Sequence, residues 1–255
     1  MSLEACAALV ETADPDRHAV TVLAPQAAQK VLWPLYAFNI EVSRAPWVTQ
    51  EPMIAEMRLQ WWRDALDEIA EGKAVRAHEV TGPLADILDR EGALRLADLV
   101  EARRWDIYPE PFADRAAFDA YIDATYAGLV WTAARLLGAG NEEDIRTIAY
   151  SDGVAAMLRA SSELISRGRH PLPDTSPDGI SQLAADALSR RRRAMTGKGG
   201  VVSSARPALM AGWQSAATLR HAARSPQAVL QEDLRQSEFA RRWALLKVGV
   251  FGRLA

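Results

Sequence analysis

The 255-residue sequence predicts an all-α fold, and three observations support this prediction. Alanine, leucine, glutamate, arginine and glutamine are frequent, and these residues favour helices. Apolar side chains recur at helical spacing, as in Met57, Trp61, Leu66 and Ile69. Sustained alternation of apolar and polar positions, which is typical of strands, is hard to find.

Prolines, glycines and changes of apolar periodicity place the predicted helices in order. Pro25 opens the first helix, and Pro34 lacks an interior hydrogen-bond donor, so we expect it to kink or restart that helix. Gly72 closes the second helix, over residues 51–71. The later helices are predicted at residues 80–91, 94–108, 114–137, 142–166, 180–195, 207–224 and 226–254. With no long linker or repeat, residues 1–255 are expected to form a single domain.

Composition excludes several classes of protein. The formal net charge of −3 gives no global field for nucleic acid. The single cysteine, Cys6, excludes an internal disulfide framework and a cysteine cluster for zinc. Glu4 precedes any basic residue, which makes the N-terminus a poor secretory signal, and no apolar run reaches the ~20 residues of a membrane span. We therefore expect a cytoplasmic protein with at most a peripheral position at the inner membrane.

Four segments, in order, carry a resemblance to a known family. They are "LYAFNIEVSR" at 35–44, "EMRLQWWRDALDEI" at 56–69, "YIDATYAGLVWTAARLLG" at 121–138 and "MLRASSELISRGRHPLP" at 157–173. Together they resemble the squalene and phytoene synthase family of head-to-head prenyl transferases. The resemblance implies the all-α isoprenoid synthase fold, a helical bundle around a central cavity.

Catalytic members of that family carry two aspartate-rich motifs on facing helices, which hold Mg²⁺ against the substrate diphosphate. Where the first motif places its aspartates, this chain has Ser43, Arg44 and Trp47. Where the second does so, it has Ala160 and Leu164. The resemblance therefore implies a chain without the metal site, so we predict no catalytic residue, no metal ligand and no cofactor.

Charged residues remain near both positions as candidates for lining the cavity or binding a ligand: Glu41, Arg44, Arg159 and Glu163. Each pair also has a simpler interpretation. Glu41 and Arg44 are three residues apart, and Arg159 and Glu163 are four apart, so each pair can form an ion pair on its own helix.

The departures resemble one branch of the family, which contains the mitochondrial assembly factor for respiratory complex I and its bacterial relatives. This resemblance implies a non-catalytic protein whose partners are subunits or assembly intermediates of respiratory complex I, or which binds a lipid or isoprenoid. The alternative is an active prenyl transferase of isoprenoid biosynthesis that uses Glu41, Glu163 and cations at an altered site. Only that alternative requires Mg²⁺.

Aromatic and basic segments leave further alternatives open. Large tryptophans at helical spacing are typical of a core but also suit a tunnel for a lipid tail: Trp33, Trp61, Trp62 and Trp131. The C-terminal segment 239–255 contains four cations, Arg253 among them, and no acid. It fits the last helix of a bundle or a basic amphipathic helix on an anionic membrane. For the arginine-rich run at 189–200, we expect a solvated helix face in preference to an anion-binding site.

Overall fold

The computed structural model describes residues 2–196, 203–231, 234 and 236–251, without the side chains of Val250 and Phe251. All regular structure in these residues is helical, which confirms the all-α prediction. The helices in chain order are α1 (Leu3–Ala13), α2 (Pro15–Val22), α3 (Gln26–Arg44), α4 (Pro52–Ala70), α5 (Thr81–Ala85), α6 (Arg90–Ala102), α7 (Arg115–Ile122), α8 (Gly128–Leu136), α9 (Glu142–Ser166), α10 (Pro177–Thr196), α11 (Arg206–Leu209), α12 (Ser215–Arg224), α13 (Gln227–Leu230) and α14 (Glu238–Phe251).

Several helices begin and end where local chemistry predicts. α9 has the predicted bounds, since Asn141 accepts a hydrogen bond from the Asp144 amide at 3.2 Å and acidic residues fill the first turn. α4 carries Pro52 in its first turn and ends before Gly72, whose φ of 67° suits a glycine. α3 continues through Pro34, so no new helix starts there.

Other predicted helices differ from the structure. The helix predicted over 80–91 is only α5, because Asp89 caps a new helix, α6, by accepting the Gly92 amide at 2.8 Å. The helix predicted over 114–137 contains a π-helical turn, Asp123–Ala127, between α7 and α8. The helices predicted over 207–224 and 226–254 are each interrupted. No helix was predicted for α1 and α2, which are capped by Ser2 and Asp14.

The described residues fall into two compact units. The first unit is drawn from Met1–Tyr108, Gly128–Gly140 and Ser204–Ala211, and the second from Pro109–Ala127, Asn141–Ser203 and Gly212–Ala255. The expectation of one domain over residues 1–255 stays a prediction. None of the described helices combines the length and apolarity needed to cross a bilayer.

The first unit is built around α3. Tyr36 and Phe38 in its middle are at most 1% exposed, and the Phe38 ring meets the Trp62 ring of α4 edge-on at 5.4 Å between centroids. A 3₁₀ turn, Ala45–Trp47, follows α3 and contacts α4, while α4 also packs against α6. The C-terminal end of α3 and the N-terminal half of α4 are therefore neighbours.

The second unit is built around α9, which packs against α10, α12, α13 and the π-helical turn. Gly153 allows the last of these contacts. A Cβ atom at this position would lie 2.7 Å from Ile122 Cγ2 and 2.8 Å from Tyr126 Cβ. Because real Cβ atoms do not approach other atoms so closely, a side chain here would push α9 and the π-helical turn apart.

Candidate functional site

The candidate residues of the first unit, Glu41 and Arg44, form an ion pair on α3. Arg44 Nη1 lies 3.3 Å from Glu41 Oε1, as the three-residue spacing allows. The Glu41 side chain is 18% exposed and that of Arg44 is 51% exposed. Both border a cavity of about 440 Å³ between α3 and α4.

We call this cavity the α3–α4 groove and define it by the residues that line it. They are Glu41, Arg44, Ala45, Val48, Ile54, Met57, Arg58, Trp61, Trp62 and His78. The volume lies within the range of ~300–1,000 Å³ that is usual for ligand pockets. Most of these side chains are apolar, and the charged ones carry more positive than negative charge.

Aromatic rings form one wall of the groove. Trp61 and Trp62 meet edge-on with centroids 5.0 Å apart, and the His78 ring lies against both. Arg76 fixes the segment that carries His78, because its guanidinium donates to Glu68 at 2.7 Å and lies over the Trp61 ring at 5.3 Å. This wall is therefore held in place before any ligand binds.

The open side of the groove exposes apolar side chains. Ile54 is 45% exposed and Met57 is 67% exposed, and the adjacent Met53 is 76% exposed. Val48, across the groove, is 48% exposed. Exposed apolar side chains that lie together beside a concave surface are typical of a site that binds a ligand or another protein.

Arg58 adds a second exposed guanidinium to the groove, and within the described part of the chain it has no ion pair. Its neighbours one turn away on α4 are apolar, among them Ile54 and Trp62. Glu56, two residues away, lies on a different side of α4 and is paired with Arg104. The charge of Arg58 is therefore available to a ligand.

The candidate residues of the second unit, Arg159 and Glu163, lie on α9 and are both exposed. Arg159 Nη1 lies 3.4 Å from Thr218 Oγ1 of α12. Glu163 pairs with Arg167, which is four residues further along the same helix. The structure thus does not have the Arg159–Glu163 ion pair that their spacing allows.

The positions at which the resemblance expects the family's aspartates, among them Ser43 and Ala160, carry no carboxylate in this sequence. The Ser43 hydroxyl donates to the Ile40 carbonyl at 3.1 Å. Both remaining acids, Glu41 and Glu163, are bound by arginines of their own helices. Across the described ranges, no three His, Cys, Asp or Glu side chains are grouped so that they could hold a metal ion.

A buried ion pair in the second unit was not predicted. Asp152 of α9 and Arg191 of α10 are 1% and 3% exposed, with Arg191 Nη1 3.3 Å from Asp152 Oδ1. Burial raises the pKa of Asp152 to about 6, and the nearby charge of Arg191 opposes this shift. Gly212 makes room for the carboxylate, since a Cβ there would overlap it.

The sequence did contain a signal for Asp152. Counting three and four residues along α9 gives a stripe of Ile145, Ile148, Asp152, Ala155 and Arg159. The apolar start of this stripe indicates a buried face, so an aspartate on it requires a partner. The partner, Arg191, lies within the arginine run at 189–200, whose last residues, 197–200, are outside the described part of the chain.

A second, polar cavity of about 330 Å³ lies in the second unit beside α7, α9 and α10. Tyr150 donates to Asp119 at 2.6 Å, and Arg190 lies over the Tyr150 ring at 5.2 Å. Burial and the hydrogen bond to Asp119 raise the pKa of Tyr150 to about 12, so its hydroxyl stays protonated. Asp123 on the same cavity is paired with Arg146. Asp119 is also paired with Arg115 at 2.7 Å, so both carboxylates on this cavity face a guanidinium.

Comparison with known proteins gives relatives of one kind. The chain is 29% identical over 167 residues to the Drosophila melanogaster protein named NADH dehydrogenase (ubiquinone) complex I, assembly factor 6 homolog. The aligned region covers 61% of this chain and 49% of the relative. It is 22% identical over 183 residues to complex I assembly factor 6 of Bos taurus, covering 66% of this chain and 52% of the relative. The chain spans about half the length of the curated relatives it matches.

Solved structures show the same fold at low identity. A dehydrosqualene synthase in complex with ligand superimposes with a TM-score of 0.74 at 13% identity, covering 98% of this chain and 95% of that one. A squalene synthase from Alicyclobacillus acidocaldarius does so with a TM-score of 0.70 at 15% identity, covering 88% and 94%. The predicted isoprenoid synthase fold is thereby confirmed.

The family itself follows from the length of the match. The model of the squalene/phytoene synthase family matches residues 10–232, which is most of the sequence. This span includes each of the four segments on which the resemblance was based. The chain belongs to the squalene/phytoene synthase family.

Proposed function

We propose that this chain acts in the assembly of respiratory complex I, as a binding protein and not as a prenyl transferase. The observation that carries the proposal is the name shared by the curated relatives. Those from Drosophila melanogaster, Bos taurus and Rattus norvegicus are each named as complex I assembly factor 6 or its homolog. Subunits or assembly intermediates of complex I are the proposed partners.

The chemistry of the site supports binding over diphosphate ionisation. Mg²⁺ needs several oxygen ligands, and two aspartate-rich helices supply them in the catalytic members that the sequence resembles. Here Glu41 is bound by Arg44 and Glu163 by Arg167. A guanidinium beside each carboxylate repels a divalent cation, so these residues do not fit a magnesium cluster.

The four candidate residues keep a role in this proposal as contacts for a ligand. Glu41 and Arg44 are supported by their place on the α3–α4 groove. Arg159 is supported by its exposure and by the hydrogen bond to Thr218, which among the described residues occupies one donor of its guanidinium. Glu163 is supported only by its exposure, since Arg167 already binds it.

A peripheral position at the inner membrane, on the cytoplasmic side, is the proposed location. It is supported by α14, where Phe239, Trp243 and Leu246 are spaced four and three residues apart and are 79%, 51% and 47% exposed. Lys247 adds positive charge beside this stripe, and so does Arg242, which is paired with Glu238 at 2.9 Å. A basic helix with exposed aromatic residues suits an anionic lipid surface. Arg253, the last of the four cations of the segment 239–255, lies outside the described residues.

The test is a deletion of the gene in its host, followed by measurement of assembled complex I and of NADH:ubiquinone activity. We expect both to fall and to be restored by the wild-type gene. The purified chain with farnesyl or geranylgeranyl diphosphate and Mg²⁺ should give no head-to-head product. Normal complex I in the deletion strain contradicts the proposal. Robust turnover would instead establish the alternative, a prenyl transferase with an altered metal site.

A further inference from the structure

The α3–α4 groove combines exposed apolar side chains with unneutralised positive charge. We infer that it binds an amphipathic helix of a partner protein, one that carries acidic residues beside large apolar side chains. The inference rests on the proposed function for the source of that helix, a subunit or assembly intermediate of complex I. The inference adds to the proposed function the surface that binds the partner and the type of side chains that it recognises.

The apolar part of the surface follows one side of α4. Met53 and Met57 are one helical turn apart, with Ile54 between them and Trp61 one turn further. These positions span about 12 Å along the helix axis, at 1.5 Å per residue. Two turns of a partner helix, with apolar side chains on one side, have about this length. Methionines adapt their shape to such a ridge because they are unbranched and flexible.

The charge of the surface favours an acidic partner. Arg44 is half exposed and has one carboxylate, Glu41, while Arg58 is exposed without an ion pair among the described residues. The groove therefore carries one negative and two positive side chains. A guanidinium binds a carboxylate with two parallel hydrogen bonds, so an acidic side chain on the partner can dock on Arg58 in a defined orientation.

The shape of the surface favours a protein over a lipid bilayer. The groove is concave, with Trp61, Trp62 and His78 fixed along one wall, and concave sites accept protruding side chains. A bilayer presents a broad surface, which the exposed stripe of α14 suits better than a groove does. A docked helix buries apolar area in the groove and brings its acids to the rim.

The experiment uses the full chain and two synthetic amphipathic peptides of about 18 residues. Both have the same leucine stripe, but one has glutamates beside the stripe and the other has lysines. We expect the glutamate peptide to bind at least about tenfold more tightly, measured by fluorescence anisotropy. Arg58→Glu should weaken this binding by about tenfold and reduce the preference for glutamate, and Met57→Asp should weaken the binding of both peptides.

The matched control is Arg90→Glu, which reverses an exposed arginine of the first unit away from the groove. This variant should bind the glutamate peptide as the wild type does. Equal binding of both peptides, or an equal effect of Arg58→Glu and Arg90→Glu, overturns the inference. Binding of phosphatidylserine vesicles through Arg58 and Met57, with no binding of either peptide, overturns it in favour of a lipid surface.

A complementation assay separates this inference from the proposed function. In the deletion strain, the wild-type gene and Arg90→Glu should restore complex I, and Arg58→Glu should restore less of it at equal protein abundance. If deletion leaves complex I unchanged, the proposed function fails whatever the peptides do. If the wild type restores complex I and Arg58→Glu restores it equally, only the role of the groove fails.

Discussion

Asp152 and Arg191 form a charge pair that is almost fully removed from water. A buried pair contributes little net stability, but removal of one partner leaves an uncompensated charge. The folded-state pKa of Asp152, about 6, lies above the ordinary value of 3.8. The stability that depends on this carboxyl is therefore fully present below about pH 4 and is lost as the pH rises through about 6.

We predict that Arg191→Met lowers the free energy of unfolding by about 3 kcal/mol at pH 8. Asp152 is ionised at that pH, and the variant leaves its charge buried without a partner. At pH 5 the loss should be smaller, because the carboxyl in the variant takes up a proton and becomes neutral. Chemical denaturation at both pH values measures the two losses.

The control for this change is Arg192→Met, at the exposed neighbouring position, which should alter the free energy of unfolding by no more than about 0.5 kcal/mol. The double variant Asp152→Asn with Arg191→Met should recover much of the lost stability, since both charges are then absent. A loss for Arg191→Met that is the same at pH 5 and pH 8 contradicts the assigned role of Asp152.

The start of α6 shows how one residue sets the limits of an element. Asp89 accepts the Gly92 amide at 2.8 Å and also receives Arg135 Nη1 of α8 at 2.8 Å. The hydrogen bond from Arg135 is the largest cause that lowers the pKa of Asp89, to about 2. Its contribution to stability is therefore present above about pH 4 and is lost as the pH falls towards 2.

For Asp89→Ala we expect a loss of about 1 kcal/mol at pH 7, chiefly from the missing helix cap. The difference in stability between wild type and variant should shrink between pH 4 and pH 2, as the wild-type carboxyl is protonated. Thermal unfolding followed by circular dichroism measures it. Asp98→Ala, an exposed position on the same helix, serves as the control and should be near neutral. Equal effects of the two substitutions count against the cap.

Helix boundaries were predictable where a capping residue, a proline or a glycine lies at the end of the helix. Asn141 and the acids that follow it mark the start of α9, and Pro52 and Gly72 mark the limits of α4. The π-helical turn Asp123–Ala127 has no such signal, because the apolar pattern continues through it. The turn packs closely against Gly153 of α9. A contact between segments that are far apart in sequence cannot be recognised from the local sequence.

At the scale of the whole molecule, the proposed position at a membrane rests on the exposed stripe of α14. We predict that the full chain binds phosphatidylserine-containing vesicles in a salt-sensitive way, because Arg242 and Lys247 attract the anionic headgroups. Replacing Phe239 and Trp243 by serine should weaken vesicle binding by about tenfold, since it removes the exposed aromatic side chains.

Co-sedimentation with vesicles measures this binding. Leu230→Ser provides a comparison, since Leu230 of α13 is 40% exposed but lies outside the stripe on α14. It should sediment as the wild type does. If the wild-type chain does not sediment with anionic vesicles at low salt, or if Leu230→Ser and the serine variant of α14 lose binding equally, α14 has no role at the membrane.

The sequence by itself determined the helical class and the family, because composition and the order of motifs can be read along the chain. It allowed the Glu41–Arg44 pair and the Arg159–Glu163 pair equally, and only the first is formed. Tertiary structure alone decided which charges are neutralised. Among the described residues, no acid from another helix reaches Arg58, whereas Arg191 is buried because Asp152 faces it from another helix. Partners that are far apart in sequence meet only when helices pack, so a charge becomes a free ligand contact or a buried pair only in the folded chain.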